Sequence, residues 1–401
     1  MKIAVLFPGI GYHCDKPLLY YSGKLAAYYQ YKIIRVSYTN LDKSIPKAFA
    51  DACAQTEEQL ENIDWHQYEE ILFISKSIGT SVAAAYAQKH DISCRNVYYT
   101  PLPQTFDFAP QSGIVFHGTS DPWAETAVIR QKCLEHGLPL YTFEHANHSL
   151  EIPAEDVSSP APAKSRTRHN LHVLENSMEL TEQYIAYGIH YRTLCENEIC
   201  PELFGNFVRR QEVVKCWRKE KENGNEKWVI RDDPFIDDWA EDDYRFLVKC
   251  LKNTVHTGGF VYAAFRRTDD LRGHNDIEKH DASRTHDTFS KHDTLCGQPS
   301  GSMLKGFISV EPTLSGDAQG YLDLSSLHVS EELRGKGIGS ILFQAARDWA
   351  KEKGGKKLYI SAHSAVETQA FYRAMGCVEA QVYNQRHVEQ EPYDCQLECT
   401  L

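Results

Sequence analysis

The chain has 401 residues, 42% of them apolar, and a formal charge of −12 at neutral pH. That length exceeds one ordinary domain and predicts two of roughly 150–200 residues each. The acidic balance argues against nucleic acid as a partner, and no apolar run approaches the ~18–20 residues that cross a membrane. The opening "MKIAVLFPGIGYHC" has a short apolar stretch that ends at Pro8-Gly9 without a small-x-small cleavage site, so it reads as a first buried strand. Twelve cysteines lie scattered from Cys14 to Cys399 with no CxxC pair. They read as the reduced thiols of a cytoplasmic protein rather than as a metal framework, and no metal is expected.

The first half alternates short apolar runs with helical patterns. "KIAVLFPG", "KIIRVSY", "EEILFIS", "NVYYTP", "GIVFHG" and "LPLYTFE" read as strands, and Thr80–His90 and Ala124–His136 as helices between them. Such alternation predicts a doubly wound parallel sheet. A last helix near Leu171–Tyr187 is delayed by the Pro/Ser/Ala-rich "PAEDVSSPAPAKSRTRH", which reads as a flexible loop.

"ILFISKSIGTSVAAAYAQKH" is a strand, a turn and a helix, with Ser75-Lys76-Ser77-Ile78-Gly79 at the turn. It resembles the G-x-S-x-G nucleophile elbow, with Ser75 in place of the first glycine. "GIVFHGTSDPWAE" then presents Asp121 after a strand, and "YTFEHANHSLE" presents His148, with His145 as its local competitor. The order Ser77, Asp121, His148 is that of the alpha/beta-hydrolase family, which residues 1–188 resemble. The resemblance implies that His148 takes the proton of Ser77 while Asp121 fixes the imidazole tautomer. It also implies an oxyanion site from Ile10 or Gly11 in "PGIGYH" and the N–H of Ile78. With no lid between the elbow and Asp121, a small or open substrate site is expected. Ser77 as a helix cap in a silent scaffold stays open.

A second domain is expected over residues 189–401. "IHYRTL" opens it as a strand, followed by helices and a charged stretch through "WVIRDDPFIDDW". "GGFVYAAF" and "LKGFISVE" read as adjacent antiparallel strands. Between them, residues 266–302 form an insert in which His274, His280, His286 and His292 recur every six residues, each followed by Asn or Asp. The repeat has almost no apolar content and reads as a disordered loop, with metal binding as the alternative.

"YLDLSSLHV" is a strand pattern and is followed by "LRGKGIGS". Ile338, Ile341, Leu342, Ala345, Ala346 and Trp349 then recur at helical spacing. The glycine loop therefore joins a strand to a helix N-terminus, a place suited to an anion. It lacks the lysine of a Walker loop and the spacing of a dinucleotide fingerprint. "LHVSEELRGKGIGSILFQAARDWAKEKGGKKLYISAHS…AFYRAMGC" resembles the Gcn5-related N-acetyltransferase superfamily.

That resemblance implies an α+β acyl-coenzyme A fold with acetyl-coenzyme A as cosubstrate. Leu327, His328 and Val329 would pair with the pantetheine arm. Arg334, Gly335, Lys336, Gly337, Ile338, Gly339 and Ser340 would wrap the pyrophosphate. Tyr372 would protonate the departing thiolate, and the acceptor would be a small-molecule amine. Asp323, His328 and Glu311 are the candidates for a base, with none preferred. Where many members carry an asparagine seven residues before the tyrosine, this chain has Ala365. The expected protein is an acetyltransferase fused to a small serine hydrolase. The rivals are a hydrolase with an acyl-coenzyme A sensor and an acetyltransferase with a silent scaffold.

Overall fold

The structure is a computed structural model that describes residues 1–42, 44–110, 112–153, 163–222, 225–267, 302–315 and 320–401. The histidine repeat lies outside the described residues. The chain divides into two compact units, Met1–His190 with Arg267, and Tyr191–Arg266 with the described residues from 302 to 401.

The first unit runs β1 (Lys2–Phe7), α1 (Pro17–Tyr28), β2 (Tyr31–Arg35), α2 (Ile45–Leu60), β3 (Glu70–Lys76), α3 (Ile78–Lys89), β4 (Arg95–Tyr99), β5 (Ile114–Gly118), α4 (Thr126–His136), β6 (Leu140–Phe143) and α5 (Ala163–Tyr187). The strands form one parallel sheet in the order β2-β1-β3-β4-β5-β6. Ile3 to Phe7 are fully buried because helices cover both faces, which is why the strands read as unbroken apolar runs. Ile3, Val5, Phe7 and Phe73 pack with Ala52 of α2 and Val82 of α3 on one face. On the other, the Tyr99 hydroxyl reaches Ser22 of α1 at 2.8 Å and Thr181 of α5 at 2.6 Å. Helix α5 starts at Ala163, inside the stretch read as a loop. Its low apolar content hides it from a periodicity search.

The second unit runs β7 (Ile189–Thr193), β8 (Arg210–Glu222), β9 (Asn225–Asp238), α6 (Glu241–His256), β10 (Phe260–Arg267), β11 (Ser302–Ser315), β12 (Tyr321–Val329), α7 (Ile338–Glu352), β13 (Lys357–Ala362), α8 (Val366–Ala374), β14 (Val378–Glu379), α9 (Gln385–Gln390) and β15 (Cys395–Thr400). Residues 210–238, expected as helices and a charged stretch, are instead a long antiparallel hairpin of β8 and β9. Its two strands carry cross-strand ion pairs such as Arg218–Asp233 and Arg231–Glu220. Pro234 falls at a register shift, where its missing N–H costs no ladder bond.

The main sheet has the order β14-β15-β13-β12-β11-β10-β7. Within it β12 and β13 run parallel but pair only through Tyr321, Asp323 and the residue between. Both strands continue past that point, so they fork. A bulge at Ser325 falls in the same stretch, between the pairs Ser309–Ser326 and Val310–Leu324. No helix among the described residues is long and apolar enough to cross a membrane.

Candidate functional site

In the first unit, β1 and β3 are neighbours while β2 lies beyond β1, so the chain reverses direction of winding between them. Loops at the carboxyl ends of such a pair form a crevice, the usual ligand position in open parallel sheets. The turn Gly9–Tyr12 follows β1, and Ser77 follows β3. Ser77 has φ 56° and ψ −127°, a strained conformation for a residue with a side chain. The turn is that sharp because α3 starts at the next residue and runs against β1. A Cβ on Gly79 would sit 2.4 Å from the Pro8 carbonyl oxygen and 2.5 Å from that of Phe7. Only glycine fits there.

Ser77 Oγ lies 2.7 Å from His148 Nε2, and His148 Nδ1 lies 2.7 Å from Asp121 Oδ2. The structure thus brings together the three residues read from the sequence. His145 is not in this relay; its backbone N–H donates to Thr119 Oγ1. Asp121 is fully buried at its side chain and also accepts the Trp123 N–H at 2.9 Å. Burial holds the His148 pKa below the ordinary value, with the bond to Asp121 opposing and Lys76 adding to the depression. A neutral imidazole between a hydroxyl and a carboxylate can take the hydroxyl proton.

Ile78 supplies a first-turn N–H at the start of α3, where no preceding helical carbonyl exists to bind it. The Gly9–Tyr12 turn stands beside Ser77, since a Cβ on Gly9 would lie 3.0 Å from Ser77 Cβ. Gly9 and Tyr12 bond each other across the turn, which leaves Ile10 and Gly11 at its tip. Gly11 has φ 72°, which a glycine adopts without strain.

Lys76 was not singled out by its sequence context. It is 1% exposed, directly before Ser77, and its ammonium donates to Thr100 Oγ1 at 2.6 Å. Thr100 in turn donates to the His148 carbonyl at 3.0 Å. Burial pulls the Lys76 pKa down to about 7, with Asp121 opposing.

In the second unit the fork leaves the β13 side of Leu324–Val329 without ladder partners among the described residues. Leu327, His328 and Val329 bond only toward β11, opposite Ile308, Phe307 and Gly306. An extended chain placed in the fork would find backbone groups to pair with. The Val329 carbonyl is already taken by Arg334 Nε at 3.1 Å.

The glycine loop follows. Gly335 and Gly337 have φ 71° and 84°, and a Cβ on Gly335 would meet nothing within 4 Å. Gly337 starts α7, so the N–H groups of Ile338 and Gly339 precede its first intrahelical bond, while the Ser340 N–H turns back to the Gly337 carbonyl at 3.1 Å. Gly339 has a second reason to be glycine: a Cβ there would lie 3.2 Å from the Phe371 ring of α8. Arg334 and Lys336 flank the loop. An open, positively flanked helix N-terminus suits a pyrophosphate.

Tyr372 is 6% exposed, packed against Phe343 and Phe371, and burial raises its pKa, so its hydroxyl stays protonated. Ala365 is fully buried with Val213 and Cys216 of the hairpin, and Trp217 N–H donates to the Ser364 carbonyl at 2.8 Å. The hairpin occupies the space that a larger side chain at Ala365 would need.

The three base candidates separate by environment. Glu311 accepts a bond from Thr254 Oγ1 at 2.7 Å. His328 is half-buried, its ring against those of Trp239 and Phe307, and its Nδ1 accepts from Arg209 Nε at 3.1 Å. Burial, with the cations of Arg209 and Arg334, drives its pKa well below the ordinary value. Asp323 stands at the branch of the fork, 3.4 Å from His387 Nε2 of α9. That bond raises the His387 pKa. No motif marks His387, which reaches Asp323 from 64 residues away.

Residues 217–377 match the model of the family described as the acetyltransferase (GNAT) family. No curated protein matches the chain. Among solved structures, nourseothricin acetyltransferase is similar at 14% identity over 53% of this chain and 98% of its own, with a TM-score of 0.35. An alpha-beta serine hydrolase homologue from Coxiella burnetii matches at 12% identity over 44% of this chain and 83% of its own, TM-score 0.32. Est1E from Butyrivibrio proteoclasticus matches at 10% over 43% and 88%, TM-score 0.32.

Proposed function

We propose that the second unit transfers an acetyl group from acetyl-coenzyme A to a small amine. The observation that carries the proposal is the fork between β12 and β13 leading into an open glycine loop, within the segment that matches the acetyltransferase family. Bound acetyl-coenzyme A supplies a thioester carbonyl open to direct attack by a neutral amine. The backbone of Leu327–Val329 holds the cosubstrate's extended arm, and Arg334–Ser340 hold its diphosphate. Tyr372 keeps a proton for the leaving sulfur. The His387–Asp323 pair takes the proton that the amine loses as its new C–N bond forms and the C–S bond breaks. Calorimetric titration with coenzyme A, followed by thiol release with a panel of amines, tests this reading. Binding without turnover for any amine would favour an acyl-coenzyme A sensor; absence of binding would overturn both.

A second activity, serine hydrolysis by the first unit, is favoured by the two 2.7 Å contacts that link Ser77, His148 and Asp121. Ser77 attacks an acyl carbonyl as His148 takes its proton. The N–H groups of Ile78 and of Ile10 or Gly11 receive the developing oxyanion. Labelling by a fluorophosphonate, lost in Ser77→Ala, is the test. A folded protein that takes no label would reduce this unit to a scaffold.

A further inference from the structure

A cavity of about 300 Å³ lies within the first unit beside the Ser77 centre. We infer that it is the acyl pocket of that centre, and that the substrates are esters or thioesters of short, uncharged, apolar acyl groups. The inference rests on the hydrolase reading above and adds a substrate class to it.

Position is the first argument. One wall is Tyr12, next to Gly11 of the turn beside Ser77; another is Ser149–Glu151, which directly follow His148 in the chain. Helix α5 adds Leu171 and Leu174 to the lining. Ser77 Cβ and Tyr12 Cβ lie 3.0 and 3.5 Å from the same added Cβ on Gly9, which sets the Tyr12 wall beside the nucleophile.

Chemistry is the second. Leu18 and Leu150 are 2% exposed and give the cavity apolar walls beside the neutral polar Ser149, Thr167 and Asn170, and among the described residues no lysine, arginine or histidine lines it. Glu151 does line it, so a carboxylate on the acyl chain would be repelled. The Tyr12 hydroxyl accepts the Leu18 N–H at 3.1 Å, which leaves its own proton available for an oxygen or sulfur of the substrate.

Exposed apolar side chains on the turn, beside His148 and in the cavity lining are the third. Ile10, Trp123 and Leu171 are 56%, 59% and 62% exposed, and the Trp123 ring centroid lies 6.3 Å from that of His148. Large apolar side chains left in water around a reactive group indicate an apolar ligand. The volume sets the limit: about 300 Å³ lies at the small end of ligand pockets and suits a short chain.

The reaction adds no co-reactant beyond water. Ser77 Oγ bonds the acyl carbon, the ester C–O or thioester C–S bond breaks, and the leaving group takes the proton from His148. Water then reverses the sequence and frees the acid.

The test uses the full chain with p-nitrophenyl acetate, butanoate, hexanoate and hemiglutarate, alongside labelling by a short ethyl fluorophosphonate. The expected kcat/KM rises about fourfold per methylene from acetate to butanoate, as burial of each CH₂ predicts. Leu174→Trp, which fills the cavity, should flatten that series to within about twofold while the Ser77 label still forms. Leu171→Glu, at an exposed position that folding tolerates, should depress hexanoate selectively. Glu151→Gln should raise hemiglutarate hydrolysis. Native-like labelling with an unchanged chain-length series in both leucine variants would overturn the pocket alone. Absence of labelling in the native protein would overturn the hydrolase reading, and the pocket with it.

Discussion

Ser77 Oγ and His148 Nε2 lie 2.7 Å apart although 71 residues separate them in the chain. Ser77 is held for this contact in a backbone conformation that costs of order 1–3 kcal/mol, and Gly79 is what permits it. Such a cost is retained where the surroundings over-determine the geometry, here by β1, the start of α3 and the brace from Lys76 through Thr100 to the His148 carbonyl.

Fluorophosphonate labelling of Ser77 should follow the neutral fraction of His148. Its pKa lies below the ordinary value through burial, helped by Lys76 and opposed by Asp121. The labelling rate should therefore fall only below about pH 6.5, the reference for a free histidine. Lys76→Met removes a nearby cation, so the fall should move to higher pH. Thr100→Val, which breaks the brace and keeps the charge, should lower the rate without that displacement. Labelling rates between pH 4.5 and 8 separate the two.

Stability should respond to Lys76 in a pH-dependent way. Its folded pKa of about 7 lies below the ~10.4 of an unfolded lysine, so between those values the unfolded chain binds more protons. Native stability contributed at this site therefore rises with pH from 7 toward 10, and the burial penalty is fully present below 7. Lys76→Met should be more stable than the native chain at pH 6, by roughly 1–4 kcal/mol, and the gap should shrink toward pH 10. Urea denaturation at the two pH values measures it.

Much of this site was legible in the sequence because its parts are local signatures: a small-residue turn between strand and helix at Ser77, an acid after a strand at Asp121, a histidine after the last strand. The glycine loop was legible for the same reason. The hairpin at 210–238 was not, since its strands carry charges on both faces and pair mainly with each other, which removes the alternation that marks a half-buried strand. Lys76 and His387 escaped because their significance is made by contacts across 24 and 64 residues. Asp323 could be named as a candidate base but not chosen, since the choice depends on what surrounds it.

Gly79→Ala should be among the most damaging single changes in the first unit. The added methyl meets two backbone oxygens closer than 3.0 Å, and neither can rotate away. A loss of about 3–5 kcal/mol, or failure of the unit to fold, is expected. Thermal unfolding checks it, with Gly11→Ala as a comparison, since there the added methyl finds open space and only the positive φ is strained.

Coenzyme A binding should depend on charge and backbone at the loop in different ways. Arg334→Ala should weaken binding about tenfold, as loss of one charge-assisted contact predicts, and the loss should be smaller at high salt. Gly337→Ala must hold an alanine at φ 84°, which costs roughly 1 kcal/mol or more and should weaken binding irrespective of salt. Calorimetric titrations at 50 mM and 500 mM salt distinguish the two behaviours.

Acetyl transfer should fail at low pH through His387. Its bond to Asp323 raises the pKa, so the imidazole becomes neutral, and able to accept a proton, only above the ordinary histidine value near 6.5. The acid limb of kcat should accordingly lie above that value. Asp323→Asn removes the partner that favours the charged ring, so the limb should move down while the plateau drops. His387→Ala should abolish the limb and lower the plateau by about 10²-fold, the usual scale of one proton transfer. Tyr372→Phe serves as the internal control. Burial keeps that hydroxyl protonated across the whole range, so its removal should lower the plateau and leave the limb in place. A pH profile unchanged in both His387→Ala and Asp323→Asn would assign the proton to water.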